Sequence, residues 1–411
     1  MADSPKDIIY KRAVLKQLYF TNVMSCAEIS TKINKSIPLT TRIIEELIEE
    51  EYIKEVGFAP SSGGRKPMMY SLRENIMYVL SVAMDQLVTR ISLVANQNHY
   101  FGEIERFDLT LHNNPDALPL LAEKIEEVIR KSAVDKTRII GIGIGMPGFI
   151  DFKKGLNYSF LEIKDKTITQ YLSEKINLPV YIDNDSSLIA LGELKFGNAR
   201  NKMDAMVINI SWGVGLGLIL NGELYRGHNG FAGEFSHMPL FNNNKLCSCG
   251  KTGCLETETS LLVLIEKVNE GIKAGRISVL GKAFNANDPE KAYTDIINAA
   301  LKGDQFAIEL LSDAGYNIGR GIAILVHLLN PEAIILSGRG SIAGKFWMTP
   351  IQQALNEHCI PILSENLEIT ISPLGYDAKL IGAATLVMDH FDEPNINQNA
   401  LNKNQGLPVL Q

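Results

Sequence analysis

One compact cluster of metal-ligating residue types constrains this chain more than any other stretch. Cys247, Cys249 and Cys254 fall inside the string CSCGKTGCLE, and His237 stands ten residues before the first of them. Thiolate and imidazole are the donors that a tetrahedral zinc prefers. Gly250 and Gly253 let a short loop turn tightly enough to point sulfurs inward. Three clustered cysteines cannot all pair with one another, so the alternative to a metal loop is a set of free surface thiols.

The remaining bulk properties set the frame around that loop. With 411 residues, the chain is too long for one core, and two or three domains are expected. A net charge of −7 excludes a generally basic nucleic-acid coat while leaving room for one local DNA-binding module. No run of about 18 apolar residues is present, so no membrane span is expected. The start, MADSPKDIIYKR, lacks the apolar core of a signal peptide. Five cysteines, three of them gathered for metal, suit a reducing cytoplasm. Cys26 and Cys359 are expected to be buried, inert thiols.

Residues 1–75 read as a separate domain. Helical apolar spacing covers residues 8–20, and Ser25 is placed to cap a short helix over 26–33. Ser36 before Ile37-Pro38 predicts a third helix running to about residue 50. Strands at 52–56 and 68–72 flank a tip rich in Gly, Ser and Pro. Three short helices followed by a hairpin form a winged helix-turn-helix pattern. From about residue 78, two successive rounds of strand meander and helix argue for a duplicated α/β core. The first lobe is expected over 76–198, completed by a terminal helix at 376–391. The second is expected over 199–375 and carries the metal loop. Residues 392–411, rich in Asn and Gln, read as a disordered tail.

The string CSCGKTGCLE matches every fixed position of CxCGxxGCxE and so resembles the signature of the ROK family, whose members are sugar kinases and sugar-responsive repressors. The resemblance implies an actin-like, ribonuclease-H-like core of two lobes. It also implies one structural zinc held by His237, Cys247, Cys249 and Cys254, a closed set with no open position. GFAGEFSH resembles the family's GxxGExGH. By that likeness Glu234, His237 and Glu256 would hydrogen-bond sugar hydroxyls, since carboxylates make strong, directional bonds to them. In YIDNDSS, Asn184 and Asp185 match the family's Asn-Asp pair at the end of a strand, where ligands of open α/β sheets gather. In the kinases that aspartate is the general base; the plain alternative is a helix cap. Asn157 matches more loosely, and Gly148 would supply close backbone approach. The sugar is expected between the two lobes.

The phosphate-binding pattern is broken. Where the kinases carry DxGGT, this chain has Ala83, Asp85, Gln86 and Leu87. A phosphate cradle needs exposed backbone and no bulky or acidic side chain. The second loop keeps Gly213, Gly215 and Gly217 but has Trp212 in place of Thr, while LNPEAIILSGRGS keeps the strand-turn of the adenosine side. The N-terminal string SSGGRKPMMYSL is similar to the wing of ROK repressors. Arg65 and Lys66 are the candidates for a minor groove, and Thr40, Thr41 and Arg42 for a major groove. Residues 1–72 hold 10 Lys plus Arg against 9 Asp plus Glu. One such head has little electrostatic affinity of its own, so a homodimer or homotetramer on an inverted-repeat operator is expected.

These readings converge on a repressor of carbohydrate-metabolism genes, not an enzyme, with Asp185 a vestigial base. The alternatives are a sugar kinase with an accessory N-terminal domain and a zinc-bearing scaffold without a small ligand.

Overall fold

A computed structural model describes residues 5–59 and 66–393. Arg65 and the tail beyond residue 393 lie outside the described residues. Two compact units emerge: one takes the chain up to Leu188 and again from Leu380, the other spans Ile189–Lys379.

The first unit opens with α1 (Pro5–Thr21), β1 (Val23–Ser25), α2 (Cys26–Lys32), α3 (Ile37–Glu49), β2 (Ile53–Phe58) and β3 (Met68–Leu72). The three strands form an antiparallel sheet in the order β1-β3-β2. Ser25 closes a full capping box with Glu28 at the start of α2, which satisfies two orphan donors at once. Pro38 sits in the first turn of α3, where its missing N–H costs nothing. Val14, Leu15, Leu18, Ile29, Ile43, Ile44 and Leu47 are buried together with Ile53. Cys26 is only half-buried, because it opens α2 and its Sγ lies 3.4 Å from Thr41 Oγ1 at the surface. This corrects the expectation of an inert core thiol; Cys359 is buried as expected.

The rest of the first unit contains β4 (Tyr78–Met84), β5 (Val88–Val94), β6 (Tyr100–Asp108), α4 (Ala117–Ser132), β7 (Ile139–Met146), β8 (Ile150–Asp151), β9 (Leu156–Asn157), α5 (Ile168–Ile176), β10 (Val180–Asn184) and the start of α6 (Asp185–Phe196). Its sheet has the order β10-β7-β4-β5-β6. The second unit continues with β11 (Ala205–Ile210), β12 (Val214–Leu220), β13 (Glu223–Tyr225), α7 (Glu256–Thr259), α8 (Leu261–Lys273), α9 (Pro289–Leu301), α10 (Gln305–Leu329), β14 (Ala333–Ser337), α11 (Lys345–His358), α12 (Pro361–Ser364) and β15 (Glu368–Ile371). Its sheet runs β13-β12-β11-β14-β15. Each sheet is thus an antiparallel three-strand meander extended by two parallel strands on the side of its first strand. The expected duplication is visible in topology. The last helix, α13 (Ala378–Asp389), returns the chain to the first unit.

The division falls inside α6 rather than at residue 198, and the N-terminal module groups with the first unit. The later half of α6 belongs with the second because Glu193, fully buried, accepts from Ser337 Oγ, from Ser372 Oγ and from the Asn198 N–H at 3.0 Å. Sequence periodicity does not reveal α9 or α11. Pro350 lies inside α11 and reads as a breaker. Packing holds that helix instead: Gly315 and Gly319 of α10 bring Pro350 and Ile351 within reach, and a Cβ at Gly319 would lie 2.9 Å from Ile351 Cα.

Candidate effector and metal site

The metal loop is built by local hydrogen bonds. Cys247 N–H donates to Lys251 O at 2.8 Å, and Gly250 N–H donates to Cys247 O at 2.9 Å. Gly253 has φ +77°, and a Cβ there would meet Phe241 O at 2.1 Å. Only glycine fits such a position. The ligand atoms of His237, Cys247, Cys249 and Cys254 all lie within 4.8 Å of one another. His237 Nδ1 is 3.5 Å from Cys247 Sγ, and Cys249 Sγ is 3.6 Å from Cys254 Sγ. The sulfurs are unbonded thiols. Burial, then the neighbouring Cys249 and Cys247, push the Cys254 thiol up to about 12. Such a cluster becomes fully ionised only when a cation replaces its protons. The donor set therefore fits a soft, four-coordinate metal ion. The opposite imidazole nitrogen, Nε2, lies 3.7 Å from Glu234 Oε2, so His237 can offer Nδ1 to a metal and Nε2 to a polar partner.

Glu256 opens α7 directly after Cys254 and Leu255. The turn between β11 and β12 leaves room for it: a Cβ at Gly213 would stand 2.8 Å from Glu256 Oε2. Gly233 lets the segment that carries Glu234 lie against β12, since a Cβ there would meet Leu216 O at 2.4 Å. The three polar residues Glu234, His237 and Glu256 thus hang on segments laid against the β11–β12 hairpin and tied to the metal loop.

In the first unit, the carboxyl ends of the parallel neighbours β7 and β10 hold the matching polar set. Asn184 Oδ1 accepts from Ser186 N–H at 2.9 Å and from Ser187 N–H at 3.3 Å, while its Nδ2 donates to Gly148 O at 3.1 Å. The helix cap is therefore Asn184, and the capping alternative weighed for Asp185 falls on its neighbour. Asp185 is half-buried in the first turn of α6, with Oδ1 accepting from Ser186 Oγ at 3.2 Å. Asn157 staples the adjoining loop: Nδ2 donates to Pro147 O, and Oδ1 accepts from Ser159 and Phe160 N–H. Gly148, at φ +97°, faces Ser159 and Asn157 so closely that no Cβ fits. The structure so joins Gly148, Asn157, Asn184 and Asp185 at one sheet end.

The broken phosphate loop has a defined structure. Asp85 is buried and its Oδ1 accepts from the N–H groups of Leu87 at 2.9 Å and Val88 at 2.8 Å. These are backbone donors of the β4–β5 turn, the kind a phosphate loop leaves open for its ligand. In the other hairpin Trp212 is buried beneath the Arg339 guanidinium, which stacks 4.3 Å from the Trp212 ring and 4.2 Å from that of Tyr376. Arg339 Nη1 also donates to Glu290 Oε1 at 2.8 Å. The donors of the first loop are thus taken by Asp85, and Trp212 beside the second is covered by Arg339. Sequence inspection finds the Asp85 and Trp212 departures but not the Arg339 stack, because Glu290 and Tyr376 are distant in sequence.

Among the groove candidates, Thr40 is fully buried and its hydroxyl donates to Ser36 O at 3.0 Å. It packs α3 onto the head's core, so the structure removes it from the exposed face. Thr41, Arg42 and Lys66 are exposed. Arg42 is paired with Asp7 at 2.8 Å and Glu46 at 2.7 Å.

The profile of the ROK family matches residues 97–390. This chain belongs to the ROK family. It is 30% identical over 390 residues to the xylose repressor of Caldicellulosiruptor bescii, covering 92% of this chain and 95% of that protein. It is 34% identical to the glucokinase of Halalkalibacterium halodurans, but there the match covers 65% of this chain and 82% of the enzyme. Among solved structures, a ROK family transcriptional regulator described as a homolog of the E. coli MLC protein aligns with a TM-score of 0.75 at 27% identity. That alignment covers 94% of this chain and 97% of the regulator. No helix among the described residues is long and apolar enough to cross a membrane.

Proposed function

We propose that this ROK protein is a transcriptional repressor of carbohydrate-metabolism genes whose DNA binding responds to a sugar, and that it does not phosphorylate that sugar. The observation that carries the reading is the Asp85 carboxylate seated on the Leu87 and Val88 N–H groups. Phosphoryl transfer rests on positioning and charge neutralisation, and a buried carboxylate in the first loop opposes both. The repressor relatives support the same reading, because the similarity to the xylose repressor covers 92% of this chain and that to the glucokinase 65%.

In this reading the head is a winged helix-turn-helix. Thr41 and Arg42 of α3 meet the major groove, and Lys66, with Arg65, meets the minor groove. Arg42 exchanges Asp7 and Glu46 for DNA on binding. The sugar hydroxyls are held by Asn184, Asp185, Glu234, His237 and Glu256, with Asp185 acting as an acceptor rather than a base. Zinc, held by His237 Nδ1, Cys247, Cys249 and Cys254, supplies structural cross-linking and fixes the His237 tautomer. The protein acts in the cytoplasm as a homodimer or homotetramer on an inverted repeat, with one zinc per chain. Xylose is the first sugar to test, on the strength of the repressor relatives.

The second reading, a sugar kinase, is favoured by the glucokinase similarity and by the retained Asp185. One experiment separates the two. Purified protein is screened against monosaccharides and their phosphates by thermal shift, with ATP consumption measured in parallel. A sugar-specific shift without turnover supports the repressor. Turnover on the order of 1 per second or faster, an ordinary kinase rate, supports the kinase.

A further inference from the structure

Helix α1 carries charged residues on two different faces, and each face has its own partner. Asp7 and Lys11 are four apart, so they share one stripe of the helix. Asp7 pairs with Arg42 of α3. Lys11, only 1% exposed, lies 3.4 Å from Glu46 and 2.5 Å from Glu50 at the other end of α3. Arg12 and Lys16 are also four apart and form the adjacent stripe. Lys16 Nζ donates to Asp389 O at 2.7 Å and to Asp392 Oδ1 at 2.8 Å. The Arg12 guanidinium lies over the Phe391 ring, 5.5 Å from its centroid. All three partners sit at or just past the C-terminal end of α13.

That end is firmly placed. His390 stacks on Tyr181 of β10, centroids 4.7 Å apart and planes within 2°. Higher up, α13 presses so closely on its neighbours that a Cβ at Gly143 of β7 would meet Ala383 O at 2.0 Å, and one at Gly382 would meet Leu188 O of α6 at 1.8 Å. The exposed C-terminus of a helix, with its partial negative charge, favours the lysine and arginine that lie there. Within the described residues the head also meets the first unit where α1 lies beside residues 96–98 and at the short link after β3, where Asn96 Nδ2 donates to Arg73 O at 3.2 Å. In that link only residues 73–75 are exposed, while Ile76 and Met77 are buried and anchor its far end.

We infer that α1 is the positioning element of the DNA-binding head: Arg12 and Lys16 seat it on the end of α13, while Lys11 locks α3 to the same helix through Glu46 and Glu50. The orientation of α3 then follows α13 as well as the link. Because α6 begins at Asp185 and packs on α13 at Leu188 and Gly382, a displacement of α6 moves the seat. That last step rests on the reading of Asp185 as an effector-binding residue; the seat itself does not.

The seat is tested without sugar or operator. Spin labels are placed at the exposed positions Lys54 in the head and Lys136 in the first unit of the full-length chain, through non-cysteine chemistry. Pulsed dipolar spectroscopy then reads the distance distribution between them. The parent should give one narrow distribution. Arg12→Ala with Lys16→Ala should broaden or shift it, and Asp392→Asn should do so more weakly from the opposite side. Lys16→Asp combined with Asp392→Lys should narrow it again relative to Lys16→Asp alone, a rescue that a merely local structural role would not show. Thermal unfolding of each variant confirms that the core is intact. An unchanged distribution in the double alanine variant, or in Asp392→Asn together with a failed charge exchange, overturns the inference.

Discussion

The Asp85 carboxylate accepts from the Val88 backbone N–H at 2.8 Å, inside the turn that faces phosphate in the kinases this chain resembles. The same Oδ1 accepts from Leu87 N–H, so the turn is satisfied by its own side chain. Asp85→Ala strips the buried Val88 N–H and the part-buried Leu87 N–H of a shared partner. It should cost about 1.5–3 kcal/mol by urea denaturation, and it should not create sugar-dependent ATP turnover, because Trp212 and the Arg339 stack remain. A variant that gained turnover on this change alone would identify Asp85 as the sole block.

Metal binding should be stoichiometric and structural. Protein produced with ample zinc should contain about one zinc per chain. Cys249→Ser or exhaustive chelation should release it and lower the melting temperature, since metal affinity is folding energy for such a loop. Elemental analysis showing less than about half a zinc per chain would count against the four-ligand site.

Buried Glu193 should give the protein a characteristic pH dependence. Burial raises its pKa above the ordinary 4.5, outweighing the hydrogen bonds from Ser372, Asn198 and Ser337. A raised carboxyl value means that the folded state holds the proton more tightly. Its stabilising contribution is full below the unfolded value and is lost as pH rises through the folded one. Glu193→Gln removes this decline while keeping an acceptor for the Asn198 N–H. The stability difference, variant minus parent, should grow as pH rises from about 4.5 and then level off. Parallel curves for the two proteins would show that Glu193 does not titrate.

On DNA, the two neighbouring candidates of α3 should behave differently. Arg42→Ala should weaken binding to a duplex and reduce the slope of log affinity against log salt by about 0.9 if it meets one phosphate. Thr40→Val should leave the salt slope unchanged, because Thr40 is buried. Equal losses of DNA affinity at matched stability would contradict the assignment of the exposed face.

For the sugar, Asp185→Ala and Glu256→Ala should each weaken whichever ligand the thermal-shift screen finds. The loss should be about 1–3 kcal/mol, more where a charged partner is removed. Isothermal titration that found both variants binding as tightly as the parent would move the site elsewhere.

Chemistry that depends on residue type and short spacing was legible in the chain itself. The thiols and histidine of the metal loop, the Asn-Asp pair at a strand end, the broken phosphate loop and the three helices of the head all lie within short windows, where local geometry follows from local sequence. The two rounds of strand meander and helix were also legible, because β4, β5, β7, β11 and β14 are buried and leave continuous apolar runs. Tertiary structure alone decided matters that depend on partners far apart in the chain. It hid Thr40, made Asn184 rather than Asp185 the cap of α6, and drew Glu290 and Tyr376 around Arg339. It held α11 together through Pro350 by packing on Gly315 and Gly319. It also gave Lys16 its partner in Asp392, at the other end of the chain. Burial and ion pairing are properties of neighbours in space, and the chain acquires those neighbours only when it folds.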